Sequence, residues 1–182
     1  MPGITKKRIA EAYLALADHK PVDKITVKDL VEECGITRQT FYYHFRDLPE
    51  VLEWMVAQFT RALLDKTLDQ SPQAAMRILV GEVTAQASLL DKLMHSRRRE
   101  DIERLFLGAV RSYLMMVMRQ SPVLGEFSVD DLGTTLTFYS WGIAGLLIES
   151  CQRPNADLDA LADQLWRLVS GQMLPKHTPC ND

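Results

Sequence analysis

Cysteine, glycine and proline are scarce in this sequence of 182 residues, which contains 3, 9 and 8 of them. The three cysteines form an odd set without a Cys-x-x-Cys pair, which argues against a disulfide framework and for free thiols in a reducing compartment. The low glycine and proline content, with 47% hydrophobic and 25% charged residues, excludes a fibrous or disordered chain. The sequence therefore predicts an ordinary globular protein.

Signals for export and for membrane insertion are also missing. The N-terminal stretch up to Tyr13 is basic, but it has no apolar core and no small-residue cleavage site. Residues 132–148 are uncharged and approach the length of a membrane helix, but they contain three threonines and a serine and are flanked by Asp131 and Glu149. We expect a helix that is buried on nearly all sides, in a cytoplasmic protein without a membrane partner.

An excess of positive charge is absent as well, because the net charge is −3 and residues 1–50 carry eight basic and eight acidic side chains. Any affinity for nucleic acid must therefore depend on where the charges lie. Two basic patches without an acid remain, one in residues 1–10 and one in residues 35–46. Their basic residues are Lys6, Lys7, Arg8, Arg38 and Arg46.

Apolar residues recur at helical spacing between the turn signals, and no strand-like alternation of useful length occurs. The sequence therefore predicts an all-α fold. The expected helical segments are approximately residues 5–19, 26–34, 37–45, 47–68, 73–89, 90–95, 98–120, 128–151 and 156–174.

The segment 26–45 has the signals of a helix-turn-helix. Thr26 and Asp29 have the spacing of a capping box at the start of the second helix. Gly35 can take the left-handed conformation that closes this helix, and Thr37 can cap the third helix. Many helical hairpins share this pattern, but its size is that of the motif whose second helix enters the major groove of DNA.

The third helix is expected to have an aromatic and a polar face. Successive residues are about 100° apart, which places Phe41 and Phe45 on one side. Arginine and glutamine suit guanine and adenine edges, threonine suits either base or a thymine methyl, and tyrosine and histidine reach phosphates. The residues that suit DNA are Arg38, Gln39, Thr40, Tyr42, Tyr43 and His44. The alternative, with the tyrosines in the core and a solvated Arg38, is weaker because two adjacent tyrosines cannot both face inward.

Residues 5–52 resemble the N-terminal pattern of the TetR family of transcription regulators. The resemblance is carried by Thr26-Val-Lys-Asp-Leu-Val-Glu-Glu-Cys-Gly-Ile-Thr37, then Phe41-Tyr-Tyr-His-Phe45 and Leu52. The glycine turn, the Tyr-x-His-Phe end and the capped start of the fourth helix coincide at the family's spacing. The segment Thr40-Phe-Tyr-Tyr-His-Phe-Arg-Asp47, with Trp54, further resembles a subset that includes regulators of dihydroxyacetone kinase operons. Some members of this subset are activators that act with a partner protein.

This resemblance implies a three-helix DNA-binding domain in residues 1–48, a larger helical domain for effector binding and dimerisation in residues 49–175, and a flexible tail in residues 176–182. It implies a homodimer that binds a palindromic operator in double-stranded DNA, with helix 3 in the major groove and a small-molecule effector or a partner protein as the signal.

The resemblance also assigns roles to individual residues. Thr26, Tyr42 and His44 would contact or position the phosphate backbone, Thr37 would cap the recognition helix, and Arg38, Gln39 and Thr40 would meet bases. The Lys6 to Arg8 stretch would approach the flanking groove. One departure is Leu48, because the family commonly has a lysine there. This puts a phosphate contact at that position in question, with Arg46 as a partial substitute.

The resemblance further implies that the last two long helices pair with a second subunit as a four-helix bundle. Residues 132–148 are too apolar to be covered by one helix stripe, and Gly142 and Gly145 would permit close approach of a partner helix. A dimer also supplies the two recognition helices that a palindrome requires. The candidate interface residues are Leu136, Ile143, Leu147, Leu161, Leu165 and Leu168.

Methionine and aromatic residues in the C-terminal half are candidates for an effector pocket, because such side chains suit adaptable apolar sites. The candidates are Met94, Phe106, Tyr113, Met116, Tyr139 and Trp141. The alternative, that they are ordinary core residues, is favoured because no convergent set of polar residues is visible.

Catalytic and metal-binding motifs are not found. His19 and His177 lack metal-ligand spacing, and there is no Ser/His/Asp arrangement or glycine-rich phosphate loop. We therefore expect neither an enzyme nor a metal or cofactor. The competing hypothesis to a DNA-binding regulator is a protein-interaction module or coactivator with weak or vestigial DNA binding, which is motivated by Leu48 and by the neutral N-terminal region.

Overall fold

The computed structural model describes residues 2–119, 128–153, 156–170 and 172–173 of the chain, and its regular structure is helical throughout these ranges. The helices are α1 (Pro2–His19), α2 (Val27–Cys34), α3 (Arg38–His44), α4 (Leu48–Thr67), α5 (Pro72–Thr84), α6 (Ala87–Met94), α7 (Arg99–Arg119), α8 (Val129–Gln152) and α9 (Leu158–Val169). A turn of 3₁₀ helix, Val22–Lys24, joins α1 to α2. The predicted all-α fold is confirmed.

Helices α1 to α3 pack together around fully buried apolar side chains. Ile9 of α1, Leu30 of α2 and Phe41 of α3 have no accessible surface. The apolar spacing of α1 and α2 explains this arrangement, because each presents one stripe to the others. The result is a compact N-terminal unit on which α3 has one buried and one exposed side.

Local capping signals define where α2 and α3 begin and end. The Thr26 hydroxyl accepts the N–H of Asp29 at 3.2 Å, and the Asp29 carboxylate accepts the N–H of Thr26 at 2.8 Å. Gly35 closes α2 with a φ of 63°, a left-handed conformation that favours glycine. The predicted capping box and glycine turn are therefore present.

The longer helices form the rest of the fold. α4 leads away from α1 to α3 and packs against α5 and α7, while α5 also packs on α9, and α8 contacts α6 and α7. Asp47 caps the start of α4 by accepting the N–H of Glu50, with Pro49 in the first turn. α6 lies between the two regions, because it contacts both α8 and α1.

Several helix boundaries differ from those expected. The helix predicted to continue to Leu89 ends at Thr84, and α6 begins at Ala87. No glycine or proline marks this break. It lies where Gln86 leaves the helical conformation (φ −99°, ψ 13°), between α5, which packs on α9, and α6, which packs on α8. α9 ends at Val169, short of the predicted residue 174, and residues 172–173 form a turn. The tail predicted for residues 176–182 lies outside the described residues.

The uncharged residues 132–148 lie within α8. No helix in the described ranges is long and apolar enough to cross a membrane.

Candidate nucleic-acid interface

The two faces predicted for α3 are present. Phe41 and Phe45 are buried beneath the helix, whereas Tyr42 and Tyr43 are 58% and 82% exposed. Arg38 and Gln39 in the first turn are exposed as well. The alternative in which both tyrosines belong to the core is therefore wrong, and α3 presents a guanidinium, an amide and two phenols to solvent.

The first turn of α3 is fixed by two threonines. The Thr37 hydroxyl accepts the N–H of Thr40 at 3.1 Å, and the two hydroxyl oxygens are 2.9 Å apart. Thr37 thus caps the helix, as predicted from the sequence. Thr40 is half-buried and therefore less accessible than Arg38 and Gln39 beside it.

Aromatic contacts hold the buried side of α3 against its neighbours. The rings of Phe41 and Phe45 have centroids 6.1 Å apart, and Phe45 meets Trp54 of α4 edge to face, also at 6.1 Å. The ammonium of Lys6 also contacts Phe45 and lies 4.8 Å from the centroid of its ring. This cation–π contact joins α1 to the end of α3.

Near the start of α2, a lysine that sequence analysis missed lies beside the capping box. The ammonium of Lys20 is 2.7 Å from the carboxylate of Asp29. This contact, with the hydroxyl and N–H of Thr26, lowers the pKa of Asp29 from its ordinary 3.8 to about 2. Pro21 and the 3₁₀ turn Val22–Lys24 separate Lys20 from α2 along the chain and fold α2 back beside it. Helical periodicity within one segment does not predict a contact between two segments.

The N-terminal basic residues point to different places, because successive residues of α1 are about 100° apart. Lys6 lies over Phe45. Lys7 is 3.7 Å from Glu11 and lines a cavity behind α1. Arg8 donates to the backbone carbonyl of Cys34 at 2.7 Å, which ties α1 to the end of α2. Of the three, only Lys6 contacts the end of α3 in this way.

The start of α4, just after α3, holds Leu48, the residue at which the sequence departs from the pattern it resembles. Leu48, which replaces the usual lysine, is half-buried and packs against the apolar core. Arg46 is exposed, with its Nε 3.3 Å from the Asp47 carboxylate. His44 is half-buried, and its ring meets that of Tyr43 edge to face at 5.0 Å. Arg46 is thus the exposed cation next to the position of the missing lysine.

The residues predicted for an effector pocket do not surround one cavity. Met94 and Tyr113 are core residues, and Trp141 is 64% exposed on the outer side of α8. Tyr139 is half-buried and packs against the core. The remaining two residues line separate cavities. Phe106 lines a cavity of about 730 Å³, and Met116 lines one of about 550 Å³.

Most residues predicted for a subunit interface are already covered by the chain itself. Four residues of this group are buried within the single chain: Leu136, Ile143, Leu147 and Leu165. Leu161 and Leu168 are half-buried. The outer side of α8 carries Phe138, 70% exposed, and Trp141 instead. The helical period explains the difference, because the buried residues of α8 lie on the side that faces α6 and α7.

No three His, Cys, Asp or Glu side chains within the described residues are placed to hold a metal ion. The two cysteines in this part of the chain, Cys34 and Cys151, are free thiols, and burial raises the pKa of both. Their environment therefore disfavours a reactive thiolate.

Comparison with known proteins identifies the family. Residues 9–53 match the model of the bacterial regulatory proteins of the tetR family. The HTH-type dhaKLM operon transcriptional activator DhaS of Lactococcus lactis is 33% identical over 173 residues, which cover 93% of this chain and 91% of that protein. The HTH-type transcriptional regulator SrpR of Pseudomonas putida is 27% identical over 186 residues, 91% of this chain and 85% of that protein.

A solved structure has the same architecture. The dihydroxyacetone kinase operon activator DhaS superposes with a TM-score of 0.69 at 23% identity, over 93% of this chain and 96% of that chain. The relatives are named as transcription regulators rather than enzymes, and the predicted resemblance, including that to the dihydroxyacetone kinase subset, is confirmed. The chain therefore belongs to the TetR family of bacterial regulatory proteins.

Proposed function

We propose that the chain is a homodimeric transcription regulator in which α3 of each subunit enters the major groove of a palindromic operator. The observation that carries this proposal is the capped helix α3, with Arg38, Gln39, Tyr42 and Tyr43 exposed above a buried aromatic base. A guanidinium and an amide in the first turn suit base edges, while phenol groups one turn later suit phosphates. Lys6 adds positive charge near Phe45, at the C-terminal end of α3.

We assign DNA reading to residues 1–48 and dimerisation and effector binding to residues 49–175. A regulator of this kind acts on DNA in the cytoplasm, with a small molecule or a partner protein as its signal. The Lactococcus relative is named as an activator. For this reason we propose a regulator and not specifically a repressor.

The outer side of α8 supports the proposed dimer. Phe138 and Trp141 are large apolar side chains that are mostly exposed in the single chain. Gly142 and Gly145 follow on the same side, and nothing lies within 4 Å of where a Cβ would stand on either of them. A second copy of α8 can therefore approach closely and cover both aromatic side chains. We therefore assign the proposed interface to Phe138 and Trp141 of α8, together with the half-buried Leu161 and Leu168 of α9.

DNA binding is tested by selecting bound sequences from random double-stranded DNA and measuring the affinity of the selected site. The double substitution Arg38→Ala and Tyr42→Ala is expected to weaken binding by about tenfold or more and to reduce its salt dependence. The matched control is Arg104→Ala, an exposed arginine of α7 far along the chain from α3. Unchanged affinity in the double variant would contradict the assigned site. A stable complex with another protein and no selected sequence would instead favour the interaction module.

The dimer is tested by light scattering during size-exclusion chromatography. Trp141→Arg places a charge on the proposed interface and is expected to halve the measured mass, because a buried unpaired charge is costly. Leu68→Arg changes an exposed leucine at the end of α4 and serves as the control. A dimer that survives Trp141→Arg combined with Phe138→Arg would place the interface elsewhere.

A further inference from the structure

A cavity of about 730 Å³ is lined mainly by α1, α4 and α6, with Val83 of α5 and Phe106 of α7 also in its wall. We call it the α1–α4–α6 cleft. Its volume is within the range of cavities that hold small organic ligands, about 300–1,000 Å³. Side chains from all five helices form its wall, among them Leu14, Trp54, Phe59, Leu90, Leu93 and Phe106.

The lining of the cleft is apolar, with few polar groups. Gln58 and Gln86 contribute the amides, and each amide can both donate and accept a hydrogen bond. The charged side chains in the wall are Lys7 and Glu11, which lie 3.7 Å apart and are largely exposed. Their charges cancel at the mouth of the cleft. An ion inside would lose its hydration without a counter-charge, which is costly.

We propose that the α1–α4–α6 cleft binds an uncharged, largely apolar small molecule that carries a hydrogen-bonding group. Aromatic and aliphatic side chains hold its body, and Gln58 or Gln86 orients its polar group. A molecule in this cleft touches the reading domain directly through Ala10 and Leu14 of α1. The site therefore lies between the DNA-reading helices and the rest of the chain.

The position of the cleft gives the bound molecule a direct effect on α3. Trp54 lines the cleft and also packs against Phe45 at the end of α3. Lys6 of α1 contacts the same Phe45 ring, with its ammonium 4.8 Å from the ring centroid. A ligand that changes the separation of α1 and α4 therefore changes both of these contacts with Phe45 at the end of α3. This regulatory consequence, but not the binding site itself, rests on the proposed function.

The binding site is tested with two fluorescent probes of the same skeleton. N-phenyl-1-naphthylamine is uncharged, and 1-anilinonaphthalene-8-sulfonate is the same molecule with a sulfonate. We expect the neutral probe to bind one site per chain, about tenfold more tightly than the sulfonate, and to quench the fluorescence of Trp54. Equal or tighter binding of the sulfonate would overturn the assigned ligand class.

Substitutions on one helix locate the bound probe. Ala62→Phe places a ring in the cleft and is expected to weaken binding of the neutral probe by about tenfold or more. The control, Ala57→Phe, adds the same ring to α4 but faces the other cavity, about 550 Å³ in volume. Leu14→Trp fills the cleft from α1 and repeats the test if Ala62→Phe disturbs folding. Unchanged binding in both cleft variants would overturn the site.

The two proposals can fail separately. Probe binding is measured on the free full-length protein, and operator binding is measured first without the probe. If the free protein binds no operator without the probe, the proposed function is contradicted. If it binds no probe, the proposed ligand site in the cleft is contradicted. If the neutral probe binds in the cleft and leaves operator affinity unchanged, the inferred effect on α3 is wrong.

Discussion

Trp54 of α4 packs edge to face against Phe45, with ring centroids 6.1 Å apart and an interplanar angle of 73°. Phe45 directly follows α3, which spans seven residues. A helix this short is not stable alone, so its orientation depends on the side chains beneath it. Trp54 also lines the α1–α4–α6 cleft. One ring pair therefore joins the wall of a cavity to the end of the helix proposed to read DNA.

The contact between these two rings should be measurable as a coupling energy. In a double-mutant cycle with Trp54→Leu and Phe45→Leu, we expect a coupling of about 0.5–1.5 kcal/mol, the usual value for an aromatic pair beyond its buried area. The measurement is the free energy of unfolding in urea for the four proteins. Strictly additive losses would show that the two rings are neighbours without a specific interaction.

Stability at acid pH should depend on Asp29. Its pKa in the folded protein is about 2, below the ordinary 3.8, mainly because of the contact with Lys20. The unfolded chain therefore binds a proton first as the pH falls, and the stabilisation, which is complete above about pH 5, is lost towards pH 2. We expect the free energy of unfolding to fall less steeply over this interval in Asp29→Asn than in the unsubstituted protein.

The control for this pH dependence is Asp18→Asn, which changes an exposed aspartate of α1. Urea unfolding at several pH values between about 2 and 5 gives the comparison. Parallel curves for Asp29→Asn and the unsubstituted protein would mean that the Lys20 contact does not persist in solution.

The helix-turn-helix was predictable because its determinants are local. The caps at Thr26 and Thr37 and the left-handed Gly35 each act within a few residues, so sequence spacing is enough to place them. The buried and exposed sides of α3 follow from the same short period. Sequence spacing does not predict a contact between two segments that a turn brings together, such as the ion pair of Lys20 with Asp29.

The C-terminal half was less predictable because its determinants are tertiary. α8 is apolar on nearly all sides, so the sequence does not tell which side the chain covers, and Leu136 and Ile143 are inside while Phe138 is outside. The cleft is formed by single residues from five helices, including α1. Residue type alone therefore did not separate the lining of a cavity from the core.

Tyr113 should act as a structural residue and not as a ligand contact. Its hydroxyl donates to the Thr67 hydroxyl at 3.0 Å inside the core, and Thr67 donates in turn to the carbonyl of Leu63 at 2.9 Å. Burial raises the pKa of Tyr113, so the phenol stays protonated and remains a donor. We expect Tyr113→Phe to lower the free energy of unfolding by about 1 kcal/mol.

The partner substitution sharpens this prediction. Thr67→Val keeps the shape of the side chain but leaves the Tyr113 hydroxyl buried without its acceptor, and it should cost about 1–3 kcal/mol. Urea unfolding measures both variants, and the affinity for N-phenyl-1-naphthylamine should stay the same in each. A large loss of probe affinity in Tyr113→Phe would instead place this residue at the ligand.

Lys92 should carry part of the response from the cleft to the reading domain. Its ammonium donates to the backbone carbonyl of Ala17 at 2.8 Å, which ties α6 to the last turns of α1. Leu90 and Leu93, on either side of Lys92 in α6, line the cleft. A ligand that shifts α6 therefore pulls on α1 through this hydrogen bond.

Lys92→Met keeps the aliphatic stem and removes the donor, and we expect it to reduce the effect of N-phenyl-1-naphthylamine on operator affinity by about threefold or more, with probe affinity of the free protein unchanged. The control is Lys66→Met, because Lys66 contacts Glu82 of α5 at 2.7 Å and not α1. Operator affinity with and without the probe is measured for all three proteins. If Lys92→Met and Lys66→Met respond to the probe alike, the hydrogen bond from Lys92 to α1 does not carry the signal, and the ring pair of Trp54 and Phe45, which joins α4 to the end of α3, becomes the principal route.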